Sequence, residues 1–235
     1  MNRARIVFTL TLIAFVACGG GEKTAGSKPA ASRANKPVTV RGSDTMVVLG
    51  QRLAEAYMTA NAGTVIQVNG GGSGTGIAAL INGTADLAQS SRPMKGDEKA
   101  KAAKARGAEV VEQAIALDAL GVFVHTTNPV KELTIEQVAN IFTGKTKNWS
   151  DVGGRDAPIV LYGRESSSGT YDYFREHVLN EADFAPAVQT LQGTAAIINA
   201  IAHDPNGIGY GGIAYAKDVR PLAIRKDAAT PAVAP

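Results

Sequence analysis

PIVLYGRESSSGTYDYF, residues 158–174, holds the densest chemistry in the chain. Residues 158–162 form an apolar run of strand length. Beyond it, Tyr171, Phe174 and Val178 recur at the spacing of one helix face. Ser168 stands where that helix opens, and Arg164 lies ahead of it, just past the strand. The first N–H groups of a helix have no internal partner, and the helix dipole favours negative charge at that end. Glycine at 169 lets a ligand approach the backbone closely. A guanidinium adds a planar fork of donors suited to an oxyanion. Each feature also has an ordinary explanation. Serine is a common N-cap, and a lone arginine often pairs with a surface acid.

Two other segments repeat the pattern of loop, then Ser/Thr with Gly, then helix start: Gly42-Ser43-Asp44-Thr45, and the run 70–76, GGGSGTG, with Ser73 at its centre. Three such segments shift the balance toward an anion site built from helix ends. Between them, strand and helix patterns alternate. Strands are expected at 38–41, 64–69, 87–89, 158–162 and 208–210, with several strand-like runs in 109–124. Helices are expected around Leu49, Leu53, Tyr57 and Ala60, around Ile77, Leu80 and Ile81, over 95–106 and over 195–202. Thr134 and Gln137 form a capping box before Val138, Ile141 and Phe142. Asp204-Pro205-Asn206-Gly207 is a turn signal. Such alternation indicates α/β layers.

The N-terminal residues read as an address. Arg3 and Arg5 precede an apolar run from Ile6 to Ala17, shorter than the about 20 residues that span a bilayer. Residues 1–17 therefore read as a signal peptide. Cys18 is the single cysteine, so no disulfide can form within the chain. With Ala17 before it, the stretch 13–18 resembles a lipobox, making Cys18 a lipidation candidate. Phe15 stands where leucine is usual. Residues 18–37 lack large apolar side chains and read as a lipid-anchored flexible linker. Without Arg3 and Arg5 the 24 basic residues fall to 22 against 21 acidic ones, a formal charge of +1. No basic cluster with interleaved aromatics occurs, so nucleic acid is not expected as a partner.

Other chemistries fail on spacing. The run 70–76 lacks the Lys-Ser/Thr that closes a P-loop and the third glycine of a dinucleotide fingerprint. Neither Ser73 nor Ser168 sits in G-x-S-x-G. His125, His177 and His203 are scattered, with no metal-ligand spacing. No catalytic residue, metal or cofactor is expected.

The motifs VRGSDTM (40–46), NGGGSGTGI (69–77), DLAQSSRPM (86–94), LTIEQVANIFTGKTKNWSDVGG (133–154), GRESSSGTYDYF (163–174) and GIGYGGIAYA (207–216) together resemble the PstS family, the phosphate-binding lipoproteins of bacterial ABC importers. The resemblance implies a two-lobed α/β fold, the type II periplasmic-binding-protein fold, with a ligand cleft between lobes. It implies a solute-binding domain over 38–227, with lobe one at about 38–118 plus 207–227, lobe two at about 119–206, hinge crossings near 118 and 207, and a tail at 228–235. By position, it implies phosphate ligands Ser43, Asp44, Thr45, Ser73 and Ser91 from lobe one, and Arg164, Ser168, Gly169 and Thr170 from lobe two. Arg92 stands beside this set, either adding charge or pairing with an acid at the rim.

The expected function is capture of inorganic phosphate by lobe closure and delivery to an ABC permease, by an exported cell-envelope lipoprotein that is not an enzyme. Enteric-type members carry an aspartate where Ser91 aligns. That carboxylate accepts the proton that phosphate retains near neutral pH, and sulfate has none to offer. Asp44, the acid inside the first motif, is expected to take over this role; its alternative is an N-cap. The Ser91 departure keeps sulfate, molybdate and arsenate open as cargo. A phosphate sensor and a secreted phosphoester hydrolase are the remaining alternatives.

Overall fold

A computed structural model describes residues 36–227 and 229–233. Cys18, the signal peptide 1–17, most of the linker 18–37 and part of the tail lie outside the described residues.

The first lobe is a run of strand–helix units. β1 (Val38–Gly42) passes through a 3-10 turn at Asp44–Met46 into α1 (Val47–Ala60). β2 (Ile66–Asn69) leads to α2 (Ser73–Ile81), and β3 (Leu87–Gln89) to α3 (Gly96–Arg106). The strands form one parallel sheet in the order β2-β1-β3. Alternating Val38 and Val40 suit the pleated surface of β1. Gly107, left-handed at φ 68°, stops α3.

The second lobe begins with β4 (Leu120–Val124) and β5 (Glu132–Thr134), followed by α4 (Ile135–Phe142). The capping box forms as expected: Gln137 N–H donates to Thr134 Oγ1 at 3.1 Å, and Thr134 N–H to Gln137 Oε1 at 2.9 Å. Then come β6 (Val160–Arg164), α5 (Gly169–His177), β7 (Gln189–Leu191), α6 (Thr194–His203), β8 (Gly207–Gly212), β9 (Arg220–Pro221) and β10 (Ala223–Arg225). The main sheet runs β7-β6-β8-β4-β9, and β10 pairs with β5. Both large apolar clusters lie here. In one, Phe174 stacks on Tyr210 at 3.9 Å and meets Phe142 edge-on at 4.9 Å. The other joins Phe123 to Ile197, Ile198 and Ile201 of α6.

Two expectations are corrected. Residues 207–227 do not build the first lobe. β8 inserts between β6 and β4, pairing Leu161 with Ile208 and Val122 with Tyr210, while β9 and β10 extend the second lobe's sheets. The cause is packing. Ile208 and Tyr210 are buried among second-lobe aromatics, and a Cβ on Gly209 or Gly211 would lie 2.6 Å from Ile197 or 2.3 Å from Thr194 of α6. No crossing therefore occurs at 207; the strand comes up to the first lobe at its end, where a Cβ on Gly212 would lie 3.3 Å from Thr45 Cγ2. Of the strand-like runs in 109–124, only 120–124 forms a strand.

The two lobes share one design. In each, a central strand (β1 or β6) is flanked by two parallel strands, and helices start where strands end. In open sheets of this kind, ligands sit at the carboxyl ends of strands, where the strand order reverses. Here two such ends face each other.

Candidate functional site

Loops after β1, β2 and β3 meet loops after β6 and β7. β6 ends on Arg164, whose side chain is 1% exposed. Its Nη2 donates to Asp44 Oδ2 at 3.2 Å and to Glu165 Oε1 at 3.0 Å. Its Nε donates to Glu165 Oε2 at 3.2 Å, and its Nη1 to Thr194 Oγ1 at 3.1 Å. These bonds occupy four of the five donors of a guanidinium. The Arg164 backbone N–H donates to the Tyr210 hydroxyl at 3.3 Å, tying the site to the aromatic core beneath. Burial raises the Tyr210 pKa, so the phenol stays protonated at any physiological pH.

Asp44 holds the first lobe's side. Its Oδ1 accepts the Gly71 N–H at 3.0 Å, and its Oδ2 faces Arg164. Its carboxylate therefore reaches a neighbouring loop instead of capping its own helix. The phenol of Tyr215 donates to the Asp44 backbone carbonyl at 3.1 Å. Burial raises the Tyr215 pKa first, and Asp44 adds to the shift.

The hydroxyls form pairs. Thr45 Oγ1 and Thr170 Oγ1 lie 3.0 Å apart across the lobes. Ser73 Oγ accepts the Ser91 N–H at 3.1 Å and stands 3.2 Å from Ser91 Oγ. Gly169 packs against both serines; a Cβ there would sit 2.5 Å from Ser73 Oγ and 2.7 Å from Ser91 Oγ. Ser168 caps α5, accepting the Tyr171 N–H at 3.3 Å. Ser43 is buried and exchanges bonds with Gln89, its N–H donating at 2.8 Å and its carbonyl accepting at 3.1 Å. All nine residues named from the sequence thus lie at the converging strand ends, loops and helix starts.

Backbone groups close the junction. Gly74 N–H donates to Ser167 O at 2.9 Å, and Ser167 Oγ to Gly71 O at 3.3 Å. Gly72, at φ 90°, comes so near that a Cβ would lie 2.6 Å from Ser167 O. Arg92 resolves to the rim. It forks onto Glu98 at 2.8 and 2.9 Å and places Nε 2.8 Å from Asp172 Oδ2 of the second lobe, an ion pair without hydrogen-bond alignment. Its fork holds the Glu98 carboxyl below the usual range.

Sequence reasoning did not single out Glu165, Thr194 or Tyr210. Thr194 carried a legible signal. Gly193-Thr194 precedes a helix just as Gly72-Ser73 does, and both follow the strand beside a central one. Glu165 carried none, since an acid beside an arginine is ordinary.

Among the described residues, no group of three or more His, Cys, Asp and Glu is placed to hold a metal. No helix among them is long and apolar enough to cross a membrane.

Comparison with known proteins places the geometry in a family. A family model described as a PBP superfamily domain matches residues 23–233. A phosphate-binding protein PstS of Pseudomonas aeruginosa is 35% identical over 245 residues, covering 96% of this chain and 76% of that protein. The chain belongs to the PstS family. A Clostridium perfringens structure, described as a putative phosphate ABC transporter substrate-binding protein with bound phosphate, matches with TM-score 0.73 and 35% identity, over 83% of this chain and 79% of that one. An ABC-type phosphate transport receptor from Vibrio cholerae matches with TM-score 0.63 and 29% identity, over 82% of this chain and 78% of that one. The PstS-family chain therefore carries the type II periplasmic-binding-protein fold.

Proposed function

We propose that this PstS-family protein captures inorganic phosphate at the lobe junction and delivers it to an ABC permease. The carrying observation is the buried Arg164 guanidinium, ringed by helix starts and hydroxyl pairs from both lobes. Ser43, Asp44, Thr45, Ser73 and Ser91 bind from one side, and Arg164, Ser168, Gly169 and Thr170 from the other. The hydroxyls and helix N–H groups replace the anion's water with fixed dipoles, and Arg164's fifth donor supplies a charge-assisted bond. Ligand contacts present only in the closed arrangement shift the population toward it. The permease then reads the closed form.

Selectivity is assigned to Asp44. Each carboxylate oxygen has two lone pairs, so Oδ1 and Oδ2 retain capacity to accept a proton-bearing phosphate oxygen. Sulfate offers no such proton, and an unmatched buried acceptor costs about 1–3 kcal/mol. Export by the signal at 1–17 and anchoring through a lipid on Cys18 complete the reading.

Binding needs no bond-making step. His125, His177 and His203 bond to Thr127, Tyr173 and Asn199, which supports a reading without a histidine-activated serine. Equilibrium dialysis of labelled phosphate against wild type and Arg164→Lys tests the reading. Retention by wild type that falls sharply in the variant supports it. Turnover of a phosphoester that vanishes in Ser168→Ala would replace it with a hydrolase.

A further inference from the structure

Ser167 and the stretch 71–74 touch across the lobes without belonging to the residues assigned to phosphate. Gly74 is the second residue of α2, so its N–H has no partner inside the helix. It donates instead to Ser167 O in the other lobe, at 2.9 Å. Ser167 Oγ donates back to Gly71 O at 3.3 Å. Gly72 lies against the same residue at φ 90°. A Cβ on Gly72 would stand 2.6 Å from Ser167 O and 2.7 Å from Ser167 Oγ. Gly71 is the informative neighbour. It is also left-handed, at φ 112°, yet a Cβ on it would meet Thr75 of its own lobe, at an ordinary 3.7 Å.

This seam adjoins an assigned ligand on each side, since Ser167 precedes Ser168 and Gly72 precedes Ser73. Its acceptors are backbone carbonyls, which donate no hydrogen bond to an anion's bare oxygens. The bonds from Asp44 to Arg164 and from Thr45 to Thr170 join assigned ligands, and the Arg92–Asp172 pair joins flexible side chains at the rim. The seam at Ser167 is built mainly from backbone.

We propose that Ser167 and Gly72 are positioning residues that set how long captured phosphate is held, acting as a clamp between the lobes and not as ligands. The inference rests on the capture reading. Phosphate enters an open cleft, before the clamp has formed, so its association does not depend on the clamp. It leaves once the lobes part, and parting breaks both Ser167 bonds. The clamp therefore acts on the dissociation rate, where most affinity differences between related complexes lie. Its bonds use no ligand atom, so they favour closure with and without phosphate, and the ligand supplies the rest of the population shift. A methyl group at 72 strains the backbone in both arrangements but collides with Ser167 only when the lobes meet. A methyl group at 71 carries the same kind of strain without the collision, and strain common to both arrangements cancels.

The test is stopped-flow binding and release of phosphate by the full chain, for wild type, Gly71→Ala, Gly72→Ala and Ser167→Ala. Gly72→Ala, overpacked in the closed form, should release phosphate at least about tenfold faster than Gly71→Ala. Ser167→Ala, which loses one neutral bond, should release it about two- to tenfold faster than wild type. Association should stay within about twofold in every variant. Gly72→Ala releasing no faster than Gly71→Ala, Ser167→Ala releasing at the wild-type rate, or losses confined to association would each overturn the clamp. A second measurement needs no phosphate. Spin labels at Lys104→Cys of α3 and Glu176→Cys of α5, both exposed, in a Cys18→Ser background report the distance between lobes. In phosphate-free protein, Gly72→Ala should shift that distance to longer values than Gly71→Ala, and coincident distributions would overturn the clamp. A wild type that retains no phosphate would overturn the capture reading, and the distances would then decide the clamp by themselves.

Discussion

The two lobes follow one strand order but differ in how they are held. The second buries Trp149, Tyr210, Phe123, Phe142 and Phe174 completely, and both apolar clusters lie within it. The first buries chiefly Ala54, Ile77, Ala79, Ala85 and Ala102, and leaves Val48, Leu49, Leu53 and Tyr57 of α1 exposed. The site straddles this difference. The second lobe supplies Arg164, wedged over an aromatic floor. The first supplies short loops whose positions are set by bonds to the second: Asp44 to Arg164, Thr45 to Thr170, and Gly74 to Ser167. A rigid half and an adaptable half suit a protein that must close on its ligand and open again.

The largest break in this comparison comes from the rigid side. Arg164→Met leaves Asp44 and Glu165 without their cation, and losing one partner of a buried pair costs about 3–5 kcal/mol. Phosphate affinity should fall by about a thousandfold, each tenfold being about 1.4 kcal/mol; binding within tenfold of wild type would contradict the role given to Arg164. Core truncation compares the lobes directly. Phe174→Ala should cost about 3–5 kcal/mol in denaturant unfolding, while Leu53→Ala, half exposed on α1, should change stability by about 0.5 kcal/mol or less. Equal losses would show that the first lobe has a core of comparable weight.

Smaller effects sharpen the contrast. Asp172→Asn cuts the rim ion pair to Arg92, which crosses the lobes without being placed among the phosphate ligands. Ion pairs of this kind contribute about 0.2–1 kcal/mol, so affinity should weaken by about 1.4- to fivefold and lose part of its salt dependence. An unchanged affinity at low salt would remove the rim pair from the closure account.

The smallest effect is in pH. Glu98's folded pKa is depressed by Arg92, so its contribution is present above the ordinary value of 4.5 and is lost as pH falls through the lowered folded one. Tyr162 behaves oppositely. Burial, then Asp204, pushes its pKa from 10.0 up to about 12, so its contribution holds below pH 10.0 and is lost as pH rises toward about 12. Acid should therefore loosen the Glu98 side of the first lobe, and alkali the Tyr162 side of the second. Hydrogen exchange resolved by segment measures both; the reverse assignment would contradict the shifts.

Much of this was legible in the sequence because local chemistry carried it. The capping box at Thr134, the N-cap at Ser168 and the glycine-flanked helix starts need only nearest neighbours to be read. The placement of 207–227 needed long-range pairing. Nothing local says that Ile208 joins Leu161 and Val124 rather than the first lobe; that follows from the fit of Tyr210 against Phe174 and of bare Gly209 and Gly211 against α6. Glu165 was hidden for the same reason, because its importance comes from a guanidinium buried by distant residues.

The central claim is that the lobe junction selects phosphate. Calorimetric titration of the anion-stripped chain with phosphate and then sulfate, for wild type and Asp44→Asn, tests it most directly. Tight phosphate binding that sulfate does not displace, with discrimination narrowed in Asp44→Asn, is the predicted result. Sulfate binding as tightly as phosphate to wild type, or unchanged selectivity in Asp44→Asn, would contradict it.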